Sequence, residues 1–174
     1  PKVACLSNCA GLNQATRVVE PRVAHIMDSM LSDAIRKGTG TKAMRSLKRG
    51  DLRGKTGTTN DADIWFSGFT PDLVATTWAG FSDNSPVGNR EWGSTTPLET
   101  WIEFMAGALP SESDSKSLTR PDGIVSVKID PETGLRTNPA DRDGIFEIFR
   151  EERVPALSSL DQEIEEADIS QQIF

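Results

Sequence analysis

Leu52-Arg53-Gly54-Lys55-Thr56-Gly57-Thr58-Thr59, Ile64-Trp65-Phe66-Ser67-Gly68-Phe69-Thr70 and Leu73-Val74-Ala75-Thr76-Thr77-Trp78-Ala79-Gly80-Phe81 are three short runs rich in threonine, aromatic and branched residues. Turn-forming Asn60-Asp61 and Pro71-Asp72 stand between them. Connections this short cannot hold the crossover that parallel strands need, so the runs predict an antiparallel meander. The third has apolar residues on both faces and is expected inside a sheet. The first, with Arg53, Gly54, Lys55 and Gly57, is expected at an edge. Trp65 and Phe66 are strand neighbours and point to opposite faces, so one of them belongs to the core.

The flanks read as helices. Over residues 21–37, Val23, Ile26, Met27, Met30, Leu31, Ala34 and Ile35 recur with helical spacing, which makes the two methionines core candidates. Pro21 suits the first turn, and Gly38 suits a left-handed stop. His25 lies off the stripe and is expected to be solvated rather than a ligand or base. A short polar helix is expected over residues 42–47 and a second amphipathic one over 97–109, with Leu98, Trp101, Ile102 and Met105 on one face. A serine-rich linker follows, then a strand over 123–129 and a turn at Pro131-Glu132-Thr133-Gly134. The expected organisation is an N-terminal arm (1–20) carrying Cys5 and Cys9, a body (21–109), a linker with a β extension (110–155), and an acidic, disordered tail (156–174).

The 174 residues carry a net charge of −7, but unevenly. Residues 147–174 hold −6 of it, whereas Arg36 to Lys55 holds eight bases and one acid. This basic run reads first as a solvated helix end and loop, second as a field that steers anions toward Lys55. Nucleic acid ranks last as its partner, because no aromatic residues interleave to stack on bases. No apolar run approaches the roughly 18 residues of a membrane span. Two cysteines and one histidine are too few for a zinc site; Cys5 and Cys9 are either a local disulfide or two free thiols. A chain beginning at Pro1 without methionine is expected to come from something longer.

Two chemistries compete over residues 50–59. A phosphate-binding loop needs four residues between its glycines and a helix starting at its Lys-Thr. Gly50 to Gly54 has three, and a strand follows. The other pattern is Lys55-Thr56-Gly57-Thr58 on an edge strand. Such an edge leaves N–H and C=O groups free for an extended peptide. Gly57 removes the side chain that would block backbone approach. Lys55 offers a positive charge to a C-terminal carboxylate, and the Thr56 and Thr58 hydroxyls can donate to it. The bland rival is a threonine-rich edge with a solvated lysine.

The context decides against that rival. Lys-Thr-Gly is the signature of serine transpeptidases and β-lactamases. Arg53-Gly54-Lys55-Thr56-Gly57-Thr58-Thr59-Asn60, Asp63-Ile64-Trp65-Phe66-Ser67-Gly68-Phe69-Thr70-Pro71 and Trp78-Ala79-Gly80-Phe81 together resemble the class A penicillin-binding proteins, bifunctional peptidoglycan synthases, and among them the 1A type of Gram-negative bacteria. Arg36-Lys37-Gly38-Thr39-Gly40, Trp101-Ile102-Glu103-Phe104-Met105 and Pro121-Asp122-Gly123-Ile124-Val125 extend the match. The resemblance covers about residues 21–155 and implies an α+β fold, an α/β/α sandwich whose antiparallel sheet is flanked by helices. In this chain that sandwich is incomplete, the C-terminal part of a transpeptidase domain.

The family's Ser-x-x-Lys nucleophile and Ser-x-Asn motifs precede Lys-Thr-Gly, and neither occurs upstream of Lys55. Ser82-Asp83-Asn84 and Ser113-Asp114-Ser115-Lys116 come after it, in the wrong order and in loops, and are coincidences. The resemblance implies that Lys55 pairs with the missing Ser-x-Asn serine and sets the field of the cleft. Lys55, Thr56, Gly57, Thr58 and Thr59 then line the substrate, and the Thr58 N–H is one oxyanion donor. A substrate-stacking role for Trp65 or Phe66 is the minor alternative. The implied partners are peptidoglycan stem peptides, β-lactams and the remainder of the transpeptidase domain, with no nucleic acid, metal or cofactor. The expected parent also carries a glycosyltransferase and is anchored on the periplasmic side of the inner membrane. The chain alone is expected to be inactive; the alternative is a non-catalytic module that binds a peptide carboxylate. One departure is that only Asp61 and Ala62 separate Asn60 from Asp63, where many relatives have one more residue, so the hairpin turn is expected to be tight.

Overall fold

The computed structural model describes residues 18–110 and 118–158. Cys5 and Cys9, Ser113-Asp114-Ser115-Lys116 and residues 159–174 of the acidic tail lie outside them. Among the described residues no helix is long and apolar enough to cross a membrane.

The meander forms as the three runs predict. Strands β1 (Arg53–Thr59), β2 (Asp63–Phe69) and β3 (Val74–Gly80) pair antiparallel in the order β1-β2-β3. Asn60 and Asp61 both take positive φ, 49° and 55°, and Ala62 N–H donates to Thr59 O at 3.0 Å. That is the mirror-image turn a tight hairpin favours. Thr70 closes the second turn, its N–H donating to Leu73 O at 2.8 Å while its hydroxyl accepts from Leu73 N–H.

One face of the sheet is the core. Ile64, Phe66 and Gly68 of β2 are buried on it, under helix α3 (Thr96–Ala108). Phe66 meets Trp101 edge-on with ring centroids 5.0 Å apart. A Cβ on Gly68 would stand 2.7 Å from the Trp101 ring, so the glycine admits the indole. Trp101 in turn donates to Ala75 O at 3.1 Å, giving the buried indole N–H a partner. Ile35, Ala43, Leu52, Leu98 and Met105 complete this core, tying in helices α1 (Pro21–Arg36) and α2 (Thr41–Leu47). At 25 cal/mol per Å² of apolar surface, rings of this size dominate such a core.

Four expectations need correction. β3 is not interior: its outer side has no strand among the described residues, and Val74 is 71% exposed. A strand apolar on both faces is interior only to a complete sheet, and β2 is the inner strand of this one. Helix α1 buries its apolar stripe only at the C-terminal end, at Ile35. Asp28, Ser32 and Ile35 turn toward β1, leaving Val23, Met27 and Met30 exposed, Met30 at 60%. Periodicity reveals that a stripe needs cover, not what covers it. His25 is half-buried, beside a groove of about 730 Å³ formed with Phe69 and Leu118. Gly38 does not take a left-handed φ; Lys37 caps the helix at φ −125°. The glycine is needed because a Cβ there would sit 2.8 Å from Ala34 O.

A second sheet pairs β4 (Ile124–Ile129) with β5 (Ile145–Arg150), a strand that was not among those expected. The turn expected at Pro131-Glu132-Thr133-Gly134 follows β4, with Gly134 at φ 71°. Arg22 bonds Glu20 and Glu152, and Arg150 lies 3.6 Å from both carboxylates, so this extension clamps the start of α1. The glutamates hold the Arg22 guanidinium above its ordinary pKa, chiefly through the Glu20 hydrogen bond. The first residues expected to belong to the tail are held too: Arg136 N–H donates to Ala156 O and Ser158 N–H to Arg136 O, both at 2.9 Å.

Candidate active site

The structure sets Lys55, Thr56, Gly57, Thr58 and Thr59 in sequence along β1, whose outer side has no strand among the described residues. A strand, not a helix, follows Lys55-Thr56, which removes the phosphate-loop reading. Lys55 and Gly57 share the uncovered face with Trp65, Ser67, Thr76 and Trp78, because Lys55 is abreast of Ser67 and Thr76, and Gly57 of Trp65 and Trp78. Of the two ring neighbours, Phe66 is the core residue and Trp65 is 41% exposed. Trp65 and Trp78 stand 6.0 Å apart, and Trp78 donates to Asp63 at 2.7 Å.

Lys55 is exposed, and among the described residues no carboxylate pairs with it. Its Nζ donates to Thr56 O at 2.8 Å and approaches Thr56 Oγ1 at 3.4 Å. Arg36, Lys37, Lys42, Arg45 and Lys48 are exposed, as a solvated helix end and loop should be, while Arg49 and Arg53 are withdrawn into ion pairs. Arg49 is buried with Asp51 in a two-pronged pair at 2.9 and 2.7 Å, and also donates to Pro110 O. Arg53 bonds Asp28 at 2.8 Å, fixing β1 to α1. Lys37 pairs with Asp33 and Lys42 with Glu99. Acids from elsewhere in the chain fold onto the run, and the positive charge left unpaired at the strand is that of Lys55.

Two glycines of β1 differ in purpose. At Gly54 a Cβ would lie 2.7 Å from the Phe66 ring and 2.9 Å from Ser67 O, so internal packing demands it. At Gly57 a Cβ would meet only Trp65, at an ordinary 3.5 Å. Nothing inside the described chain requires glycine there.

Two supports escaped sequence reasoning. Thr39, between α1 and α2, places its hydroxyl 2.8 Å from that of Thr56. Gly93, in the loop before α3, donates its N–H to Thr58 Oγ1 at 3.2 Å. A Cβ on Gly93 would fall 2.3 Å from Trp65 O and 2.6 Å from Gly57 O, so this buried glycine lies directly on the backbone of the site. The Thr95 and Thr96 hydroxyls donate to Glu91, at 2.7 and 2.9 Å, and hold its carboxyl below the ordinary glutamate range. Gly38-Thr39-Gly40 was the available signal for the first support. The second lies 35 residues from its partner and leaves no local pattern.

Ser82-Asp83-Asn84 follows β3, two strands and thus about 10 Å from β1. Asp83 is occupied in a local turn with Ser85, whose hydroxyl bond holds its carboxyl below the ordinary range.

No family model matches the chain. Penicillin-binding protein 1A of Pseudomonas aeruginosa is 46% identical over 142 residues, 81% of this chain and 17% of that protein. Penicillin-binding protein 1A of Vibrio cholerae is 34% identical over 186 residues, 86% of this chain and 22% of its own length. The crystal structure of penicillin-binding protein 1A from Haemophilus influenzae superposes with a TM-score of 0.76 at 35% identity, over 86% of this chain and 23% of that one. The sequence therefore spans less than a quarter of these relatives. Sequence and fold agree over most of its length: the chain belongs to the penicillin-binding protein 1A family.

Proposed function

We propose that this chain forms the substrate-carboxylate wall of a serine D,D-transpeptidase that cross-links peptidoglycan and is trapped by β-lactams. The observation that carries the reading is Lys55: a cation that, among the described residues, has no carboxylate partner, flanked by threonine hydroxyls, on a strand whose outer side has no neighbour there, in a penicillin-binding protein 1A fold. A D-Ala-D-Ala stem lies along β1 as an added strand. Its carboxylate takes the Lys55 charge and the Thr56 and Thr58 hydroxyls, while Gly57 and Thr59 let the backbone approach. The Thr58 N–H points a hydrogen bond at the carbonyl oxygen as charge develops there, a donor worth about 10²–10³ in rate. The attacking serine, the second oxyanion donor and the Ser-x-Asn serine that pairs with Lys55 come from the part of the domain outside this chain.

That remainder also covers the apolar surface left open here, namely Trp65, Trp78 and Val74 on the sheet and Val23, Met27 and Met30 on α1. The whole protein is membrane-anchored, faces the periplasm and carries a glycosyltransferase as well. The test is labelling of the full-length protein with a fluorescent penicillin, followed by peptide mapping. The adduct is expected on a serine outside these 174 residues, and the isolated chain is expected to stay unlabelled. An adduct on a serine of this chain overturns the reading. Reversible binding of a D-Ala-D-Ala peptide to the isolated chain, without labelling of the full-length protein, replaces it with the non-catalytic module.

A further inference from the structure

We infer that Thr39 is a positioning residue of the carboxylate site, setting the direction in which the Thr56 hydroxyl donates; this rests on the function proposed above. Its oxygen stands 2.8 Å from Thr56 Oγ1. A threonine hydroxyl has one proton and two lone pairs. Lys55 Nζ, which can only donate, approaches the same Thr56 oxygen at 3.4 Å. When Thr39 donates as well, both lone pairs of Thr56 are taken and its own proton is directed away from the protein, toward the ligand. Two donors on one hydroxyl also polarise it and strengthen the bond it makes onward.

Thr39 is held where this requires. It lies between two glycines: a Cβ on Gly38 would be 2.8 Å from the backbone Ala34 O, which leaves no room there, and one on Gly40 would meet the tip of the buried Ile35 side chain at 2.6 Å. Gly40 N–H donates to Ala34 O at 3.0 Å, so the turn is folded back on the end of α1. Helix α1 is in turn bound to β1 through Asp28 and Arg53 at 2.8 Å. The hydroxyl–hydroxyl contact therefore joins two elements already locked together, and little freedom is lost in making it.

The experiment measures the second-order rate of penicillin acylation of the full-length protein and of its Thr39→Val, Thr39→Ser, Thr56→Val and Thr39→Val/Thr56→Val variants. Thr39→Val is expected to slow acylation about five- to tenfold, the size of one lost hydrogen bond. Thr39→Ser is expected to keep the native rate, and the double variant to match Thr56→Val alone. A native rate for Thr39→Val, or the same slowing by Thr39→Val whether or not Thr56 is intact, overturns the inference. A merely structural role predicts that second, additive result. If the unmodified full-length protein is not acylated at all, the transpeptidase reading itself falls, and the positioning role with it.

Discussion

Replacing Gly93 by alanine adds one methyl group at the point where the loop before α3 rests on the site strand. The new carbon would stand 2.3 Å from Trp65 O, 2.6 Å from Gly57 O and 2.9 Å from Gly57 N. All three atoms are backbone of β1 or β2, so no side chain can swing aside; the loop or the strand must move. Overpacking of this kind costs about 1–3 kcal/mol. Lifting the loop also breaks the Gly93 N–H bond to Thr58 Oγ1, worth about 1 kcal/mol. Together these destabilise the domain by about 2–4 kcal/mol, which lowers its Tm. The assay is thermal unfolding of the full-length protein, following the transition that penicillin raises. Gly107→Ala is the matched control: it lies in α3 with nothing within 4 Å of an added Cβ, and is expected to stabilise by up to about 1 kcal/mol. The same chemical change thus gives opposite signs at two glycines. A Gly93→Ala protein that melts at or above the native temperature refutes the reasoning.

Gly57→Ala is expected to leave the melting temperature close to native, since the added carbon meets only Trp65 at 3.5 Å, while slowing acylation by about 10–100-fold by displacing the ligand strand; equal acylation rates would show that nothing approaches there. Asp51→Ala leaves the Arg49 guanidinium buried without its two-pronged carboxylate and is expected to cost about 3–5 kcal/mol in denaturant unfolding, a value near zero contradicting the pair's role. For Glu91 the folded pKa is lowered by the Thr95 and Thr96 hydroxyls, so its stabilising effect is present above the ordinary value of 4.5 and is lost as pH falls through the folded value. Glu91→Gln is therefore expected to melt below native protein at pH 7, with the gap closing below pH 4.5; a gap that widens on acidification has the wrong sign.

Sequence carried the meander, the edge position of Lys55-Thr56-Gly57-Thr58 and the apolar face of α3, because strand period, turn residues and helical spacing are local signals. It misplaced the covered face of α1 and made β3 interior, because both readings assume that the surface which would cover an apolar residue is present. Met30 and Val74 are exposed, and the chain spans less than a quarter of its relatives. The basic run is solvated over most of its length, but its charge is partly paired. Charge counted along the chain ignores acids that fold back onto it, and Asp28, Asp33 and Glu99 do so. Gly93 was out of reach as a site residue, since it meets Thr58 only through tertiary folding, 35 residues away, whereas Thr39 left the Gly38-Thr39-Gly40 signal but no sign of its partner 17 residues on.

Lys55 is tested most directly by the rate of penicillin acylation of the full-length protein beside its Lys55→Ala variant, with the folded state of both checked by thermal unfolding. Removing the Lys55 charge is expected to slow acylation by about 10²-fold or more while leaving the protein folded, because among the described residues the exposed side chain bonds only to its neighbour Thr56. A Lys55→Ala protein that is folded and acylated at the native rate would contradict the claim that this strand holds the substrate carboxylate.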